Sequence, residues 1–336
     1  LETIAHEGPS ALYGGRLGAA IAAHLAGLGA AMTPDDLASH EPERDSPLIL
    51  RYRDLDVGVA PPNSQGFALL ESLATIERLA IDPDPLGPDA GTLAEIFRVA
   101  GADRDRHNAD PRRSAVPVGT LLGENHLADI VDRVCERSSA PTARRRGDTI
   151  ALVAADASGL GIVLIQSLFD SFGSGILEPS TGVVLHNRGS AFVLDPGHPN
   201  VLAGGKRPAH TLLPVVVQRG GRLVALAGTM GGGGQPQIDA MSLIRALELG
   251  MGAAEAVAAP RWLVGGMALG SAERALVAES SVPAPARRSL EAAGYRIETV
   301  GELDGAVGHA HLLLAQEDGD LEVGSDPRAD GGAAVR

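Results

Sequence analysis

The chain has 336 residues, 44% hydrophobic and 21% charged, with one cysteine and a formal net charge of −14. That length supports one large or two medium domains with a sizeable core. The negative balance argues against a nucleic-acid or anionic-membrane surface, no apolar run approaches the ~20 residues of a membrane span, and Cys135 alone rules out an internal disulfide framework.

Aromatic residues make up only 3% while glycines number 43, so the core is expected to be built from Ala, Val and Leu, with Cys135 as one more small buried hydrophobe. Leu1-Glu2-Thr3-Ile4-Ala5-His6-Glu7 has neither the basic start nor the apolar middle of a signal peptide. The chain lacks an initiator Met and reads as a piece of a longer protein, for which a cytoplasmic location is expected over a secreted one.

Residues 9–30 carry apolar residues at helical spacing and close on Gly27 and Gly29, which predicts an amphipathic helix. Thr33-Pro34-Asp35-Asp36 is a helix start, with Thr33 as N-cap, Pro34 in the first turn and acids at the positive end of the helix dipole. Strand-like pieces occupy 48–52 and 55–59. Pro61-Pro62-Asn63-Ser64-Gln65-Gly66 is a turn feeding a helix over 67–79. Another helix, over 91–106, ends in Asp103-Arg104-Asp105-Arg106, a charge run typical of a solvated or ion-paired face and given no catalytic role. The chain is mostly helical up to Cys135, and a loose basic tract at 138–148 follows. Its Arg144-Arg145-Arg146 run reads as a solvated loop.

After Thr149 the texture changes. Strands over 149–155 and 161–166 flank the turn Asp156-Ala157-Ser158-Gly159, a short strand falls at 183–185, and strands over 212–218 and 223–229 flank Arg219-Gly220-Gly221-Arg222. Helices are predicted over 238–249, 253–259 and 284–293, and strands over 296–300, 310–316 and 321–323. Hairpins and helices in this order, without βαβ alternation, predict an α+β fold of antiparallel sheets covered by helices.

Two stretches could carry chemistry. Gly147-Asp148-Thr149-Ile150 follows the loose tract and opens the strand region. Cutting before Thr149 would join its hydroxyl to a free α-amine, an established way to activate a nucleophile. A strand start would use the same residues. Gly231-Gly232-Gly233-Gly234 lies between a strand and a helix, where successive N–H groups can converge on an oxyanion. Gln235-Pro236 stands where a phosphate loop needs Lys-Ser/Thr, so nucleotide binding is rejected, while a flexible linker shares this composition. His309 and His311 alternate on one strand face, but no carboxylate or Cys follows at ligand spacing, so neither a metal nor another cofactor is assigned. His198, in a turn, reads as structural.

A set of ordered motifs then sharpens the reading. They are Gly147-Asp148-Thr149, Ser171-Phe172-Gly173-Ser174-Gly175, Leu194-Asp195-Pro196-Gly197-His198-Pro199-Asn200 and Gly205-Lys206-Arg207-Pro208. Gly228-Thr229-Met230-Gly231-Gly232, Ala259-Pro260-Arg261-Trp262 and Ser325-Asp326-Pro327-Arg328 follow. Together they resemble the small-subunit half of the gamma-glutamyltranspeptidase family of N-terminal-nucleophile hydrolases, and residues 8–135 resemble the C-terminal part of its large subunit. The resemblance implies a four-layer αββα sandwich in which 1–148 and 149–336 are parts of one unit. It implies self-cleavage between Asp148 and Thr149, large/small subunit pairing afterwards with room for a higher oligomer, and a small-molecule amide substrate. Thr149 would attack the amide and form an acyl-enzyme that water or an amine resolves. Its α-amine would be the general base, Ser167 the supporting hydroxyl, and Gly231 and Gly232 the oxyanion-hole glycines. His210 and Thr211 fall where typical members carry a Ser-Ser pair touching the substrate carboxylate.

The departures bear on substrate. Where typical members hold the glutamyl α-ammonium with amide and carboxylate groups, this chain reads His186-Asn187-Arg188-Gly189-Ser190-Ala191. Arg188 cannot favour an ammonium and Ala191 offers no acceptor. Phe169 replaces an Asn, and Ile150 replaces a second Thr. Asn187-Arg188-Gly189 and the glycine run resemble the divergent branch that contains cephalosporin acylases and oxamate amidohydrolases. Arg188 therefore suggests an acidic acyl group such as glutaryl or oxalyl, or else a structural ion pair. Glutathione-type γ-glutamyl compounds are the default substrate and acyl amides the alternative. A non-catalytic, unprocessed relative is the rival from another class. The upstream large-subunit segment with the family's carboxylate-binding Arg is not in this sequence, so activity is expected of the longer parent.

Overall fold

The computed structural model describes residues 1–136, 148–265, 274–316 and 318–335, so most of the expected linker at 138–148, with its arginine run, lies outside the described residues. An N-terminal helix α1 (Arg16–Gly27) precedes the hairpin β1 (Leu48–Tyr52) and β2 (Leu55–Val59), then helices α2 (Gly66–Leu79), α3 (Ala90–His107) and α4 (Glu124–Cys135). The hairpin β3 (Asp148–Ala155) and β4 (Gly161–Phe169) is followed by a short antiparallel pair, Leu177–Glu178 with Val183–Val184, then by the hairpin β5 (Val215–Arg219) and β6 (Arg222–Met230), and by helix α5 (Gln235–Leu247). Strands β7 (Trp262–Val264) and β8 (Ala275–Glu279), helix α6 (Ala284–Ala292), and strands β9 (Arg296–Val300), β10 (His309–Ala315) and β11 (Leu321–Ser325) complete the order.

Buried residues alternate along β2 and β5, the pattern of strands with one face in the core. These two strands pair within a six-stranded sheet ordered β1-β2-β5-β6-β10-β11, antiparallel at every step. Helices α2 and α5 cover one face, and α3 packs against α2. Leu69, Leu73, Leu93, Ile96, Ile238 and Met241 meet Val57, Val215 and Ala225 in one cluster, each essentially buried. Each such Leu or Ile contributes roughly 2 kcal/mol of burial. Trp262 is fully buried there and satisfies its one polar atom by donating from Nε1 to the Pro85 carbonyl at 2.8 Å.

The β3–β4 hairpin crosses the other face of the sheet. A Cβ built on Gly228 would lie 3.1 Å from Ala151 Cβ and 3.2 Å from Val163 Cγ1, so the absent side chain is what lets the hairpin settle on β6. Its outer face keeps Ile150, Leu152, Ile162 and Leu164 about half exposed or more. Helices, sheet and hairpin thus account for three of the four expected layers among the described residues.

Other differences have local causes. The helix expected over 9–30 breaks at Gly14-Gly15 into Ser10–Tyr13 and α1. Helix α5 starts at Gln235, ahead of the expected 238, because Pro236 suits a first helical turn. Strands β8 and β9 pair in parallel, since α6 supplies the crossover that a parallel pair requires. Cys135 is exposed, not a buried hydrophobe: α4 turns Leu127, Ile130 and Val134 inward and leaves its last residue off that stripe.

Candidate active site

Thr149 stands opposite Ser167 in the β3–β4 ladder, and the register shifts between Asp148 and Thr149. Thr149 is buried, and its Oγ1 donates to Ser167 Oγ at 3.1 Å. Ser167 Oγ in turn accepts the Phe169 N–H at 2.9 Å, which orients the hydroxyl. In the uncut chain the Thr149 nitrogen is an amide and cannot take a proton; cleavage would make it a basic amine beside two hydroxyls.

The stacking of hairpin on sheet sets what lies near this pair. A Cβ at Gly161 would meet Leu226 at 3.0 Å and Leu223 at 3.2 Å, whereas one at Gly228 would meet Ala151, Val163 and, at 3.7 Å, Ile165. Moving along β6 from Leu223 to Gly228 therefore moves along the hairpin toward Thr149 and Ser167. Two more residues bring β6 to Met230 and the glycine turn. In that turn Gly232 has φ +54°, Gly234 N–H donates to the Gly231 carbonyl at 2.8 Å, and a Cβ on Gly231 would lie 2.4 Å from Ile238 Cδ1. The left-handed backbone at Gly232 favours glycine, and a Cβ on Gly231 would require the terminal methyl of Ile238 to move.

Two side chains that the sequence did not mark reach this turn. Gln65 Nε2 donates to the Gly232 carbonyl at 2.9 Å and to the Thr211 carbonyl at 2.7 Å. Arg104, in the charge run expected to be solvated or ion-paired, pairs with Asp105 and donates from Nη1 to the Gly233 carbonyl at 2.6 Å. The signal for both was weak: a polar residue just before a buried helix, and an Arg one turn from a helix end.

Arg188 is nearly buried. Its guanidinium lies 4.2 Å from the Phe169 ring centroid and donates to Thr211 Oγ1 at 3.2 Å. Phe169 holds this stacking position with φ +81°, a left-handed backbone that costs a bulky residue of order 1 kcal/mol. Phe169 and Ser167 therefore link the cation to the Thr149 hydroxyl. His210 lies in the same region: burial first, then Arg188 and Arg207, push its imidazole down to about 4, so it is neutral at pH 7. Its Nδ1 accepts the Leu212 N–H at 3.3 Å. Asn187 bonds to Asp170: its Oδ1 accepts the Asp170 N–H at 3.1 Å and its Nδ2 donates to Asp170 Oδ2 at 2.7 Å.

Several quoted motifs hold structure instead of chemistry. Arg261 pairs with Asp326 at 2.9 Å, and Arg328 pairs with Asp326 at 2.9 Å and Glu279 at 2.7 Å, all with fully buried side chains. His198 Nε2 lies 2.9 Å from the Asp105 carbonyl and its Nδ1 accepts the Asn200 N–H at 3.0 Å. His309 and His311 sit edge to face with ring centroids 6.4 Å apart. A different trio, Glu71, Asp103 and His126, brings three ligand-type atoms within 4.8 Å of one another, but Arg133 already pairs with Asp103 at 3.0 Å, so a cation of the chain stands in that cluster.

Comparison with known proteins gives a consistent picture. A family model described as Gamma-glutamyltranspeptidase matches residues 1–336. The chain is 36% identical over 336 residues to the Glutathione hydrolase-like YwrD proenzyme of Bacillus subtilis, covering 99% of this chain and 64% of that protein. It is 34% identical to the Oxamate amidohydrolase proenzyme of Klebsiella pneumoniae, covering 99% and 63% respectively. The cephalosporin acylase of Bacillus halodurans superposes with a TM-score of 0.88 at 28% identity, over 99% of this chain and 61% of that one. The chain thus spans less than two thirds of the length of these relatives.

Proposed function

Because the chain belongs to the gamma-glutamyltranspeptidase family, we propose that it carries the acyl-transfer site of an amide-cleaving enzyme whose nucleophile is Thr149, freed by cleavage after Asp148. The observation that carries this reading is the buried Thr149–Ser167 hydroxyl pair at 3.1 Å, stacked toward the glycine turn that follows β6.

In this reading the freed α-amine takes the Thr149 hydroxyl proton as Oγ1 attacks the amide carbon. Ser167, held by the Phe169 N–H, keeps the Thr149 oxygen in register. The Gly231 and Gly232 N–H groups stabilise the oxyanion, and the protonated amine returns its proton to the leaving nitrogen. Water or an amine then releases the acyl group. The parts before and after Thr149 stay together as the halves of one αββα unit, which the buried contacts between Gln65 and residues 211 and 232 support.

For the acyl group, the Arg188 guanidinium favours an acid: it is nearly buried, stacked on Phe169 and fixed by Thr211. An ammonium near it would pay an unscreened repulsion. We therefore put an acidic acyl amide, of the glutaryl or oxalyl type, ahead of the default γ-glutamyl substrate. That second reading is supported by the glutathione hydrolase-like relative. The test is to assay the full-length protein with γ-glutamyl-p-nitroanilide, glutaryl-p-nitroanilide and oxamate. Turnover of the acidic amides over the γ-glutamyl one is expected, and the reverse preference would overturn the assignment.

A further inference from the structure

The turn Pro61-Pro62-Asn63-Ser64-Gln65-Gly66 aims its polar groups outward, at the far half of the chain. Asn63 Nδ2 donates to the Pro208 carbonyl at 2.6 Å and Ser64 Oγ to the Leu212 carbonyl at 2.7 Å. Gln65, fully buried, uses Nε2 on the Thr211 and Gly232 carbonyls, and its Oε1 accepts from Arg104 Nη1 at 3.2 Å. The same Arg104 nitrogen reaches the Gly233 carbonyl. These contacts run from residues before Thr149 to the two features that follow it, the glycine turn and the Thr211 partner of Arg188.

The geometry has a consequence for catalysis. A carbonyl and the N–H of the same peptide plane point in opposite directions, so gripping the Gly232 carbonyl fixes the Gly232–Gly233 plane. The Gly231 carbonyl, held by Gly234 N–H, fixes the plane that carries the Gly232 N–H. Of the two peptide planes that set the torsions of Gly232, one is thus held within the turn by Gly234 and the other from outside by Gln65. Four consecutive glycines have little conformational preference of their own, and an oxyanion donor is effective only if it is already aimed when charge develops.

We propose that Gln65 and Arg104 are positioning residues of the acyl-transfer site, clamping the Gly232 and Gly233 carbonyls so that the turn's N–H groups stay aimed at the acyl oxygen. The inference rests on the reading of Gly231 and Gly232 as oxyanion donors. Gln65 also couples that turn to the acid-binding side, because the Thr211 backbone it holds carries the hydroxyl that receives Arg188.

The test compares Gln65→Leu and Arg104→Lys with the unaltered full-length protein. Three quantities are read: kcat and KM on whichever p-nitroanilide (glutaryl or γ-glutamyl) is hydrolysed, amide hydrogen exchange across Gly231–Gly234, and melting temperature. Gln65→Leu is expected to lower kcat about 10²-fold with KM within about twofold, the signature of an interaction realised in the transition state. Exchange in the turn should quicken about tenfold or more, beyond any change in distant core amides. Arg104→Lys keeps one donor for Gly233 and should lose much less. Unchanged kcat overturns the proposal, including when exchange or melting alone responds, since that is a structural role only. If the unaltered protein hydrolyses neither probe, the acyl-transfer reading fails separately; exchange then decides the clamp, with unchanged rates in Gln65→Leu overturning it.

Discussion

Arg188→Met gives the sharpest separation between an acid-binding pocket and a structural ion site. The substitution keeps length and apolar volume while removing the charge above Phe169 and the donor to Thr211 Oγ1. Folding loses one cation–π contact and one hydrogen bond, about 1–2 kcal/mol together. An acidic acyl group loses more. Two charge-assisted hydrogen bonds at about 1.5 kcal/mol each give about 3 kcal/mol, or a fall of about 10²-fold in kcat/KM. The assay measures kcat/KM of the full-length variant on glutaryl- and γ-glutamyl-p-nitroanilide side by side. A larger loss is expected on the glutaryl compound, because the γ-glutamyl group carries an ammonium beside the same carboxylate and gains from removal of the Arg188 charge. Equal losses on both, tracking the lost stability, would refute the reasoning and return Arg188 to a purely structural role.

Ser167→Ala removes the hydroxyl partner at 3.1 Å and is expected to slow both self-cleavage and turnover about tenfold with KM little changed, read from time courses of chain cutting and from kcat. Asp326→Asn leaves Arg261 and Arg328 buried without their shared counter-charge, and urea unfolding should show a loss of roughly 3–5 kcal/mol. Burial pushes the Glu71 carboxyl up to about 8 against the pull of His126. Because that folded value lies above the ordinary one, its contribution to stability is complete below about pH 4.5 and is lost as pH rises through about 8. Glu71→Gln should therefore flatten the decline in melting temperature between roughly pH 5 and pH 8, and an unchanged slope would contradict this.

Much of the fold was legible because it follows periodicity. The strand-like pieces at 48–52 and 55–59, and the strands expected over 212–218 and 223–229 about Arg219-Gly220-Gly221-Arg222, correspond to hairpins of the sheet that the structure contains. The partnership of Thr149 with Ser167 came from the family resemblance, Ser167 lying one residue past the strand predicted over 161–166, and the structure sets the two opposite each other in the β3–β4 ladder. What stayed hidden depends on distant partners. Asp103-Arg104-Asp105-Arg106 reads as a solvated or ion-paired helix end, and it is ion-paired, Asp103 with Arg133 and Arg104 with Asp105; what the sequence does not announce is that Asp103 is buried and that Arg104 reaches the glycine turn. Asn187 stands in a motif suggestive of substrate contact, but Asp170 takes both ends of its amide. Arg261 and Arg328, each within a quoted motif, belong to one buried ion network more than 60 residues apart in sequence, a pairing that no local pattern announces.

The central claim is that Thr149 becomes an N-terminal residue. Mass spectrometry and N-terminal sequencing of the purified full-length protein test it directly. The account predicts two associated pieces, the smaller beginning Thr149-Ile150-Ala151, and a single intact chain in Thr149→Ala. An unaltered protein that stays whole while hydrolysing amides, or that is cut at any other bond, would contradict it.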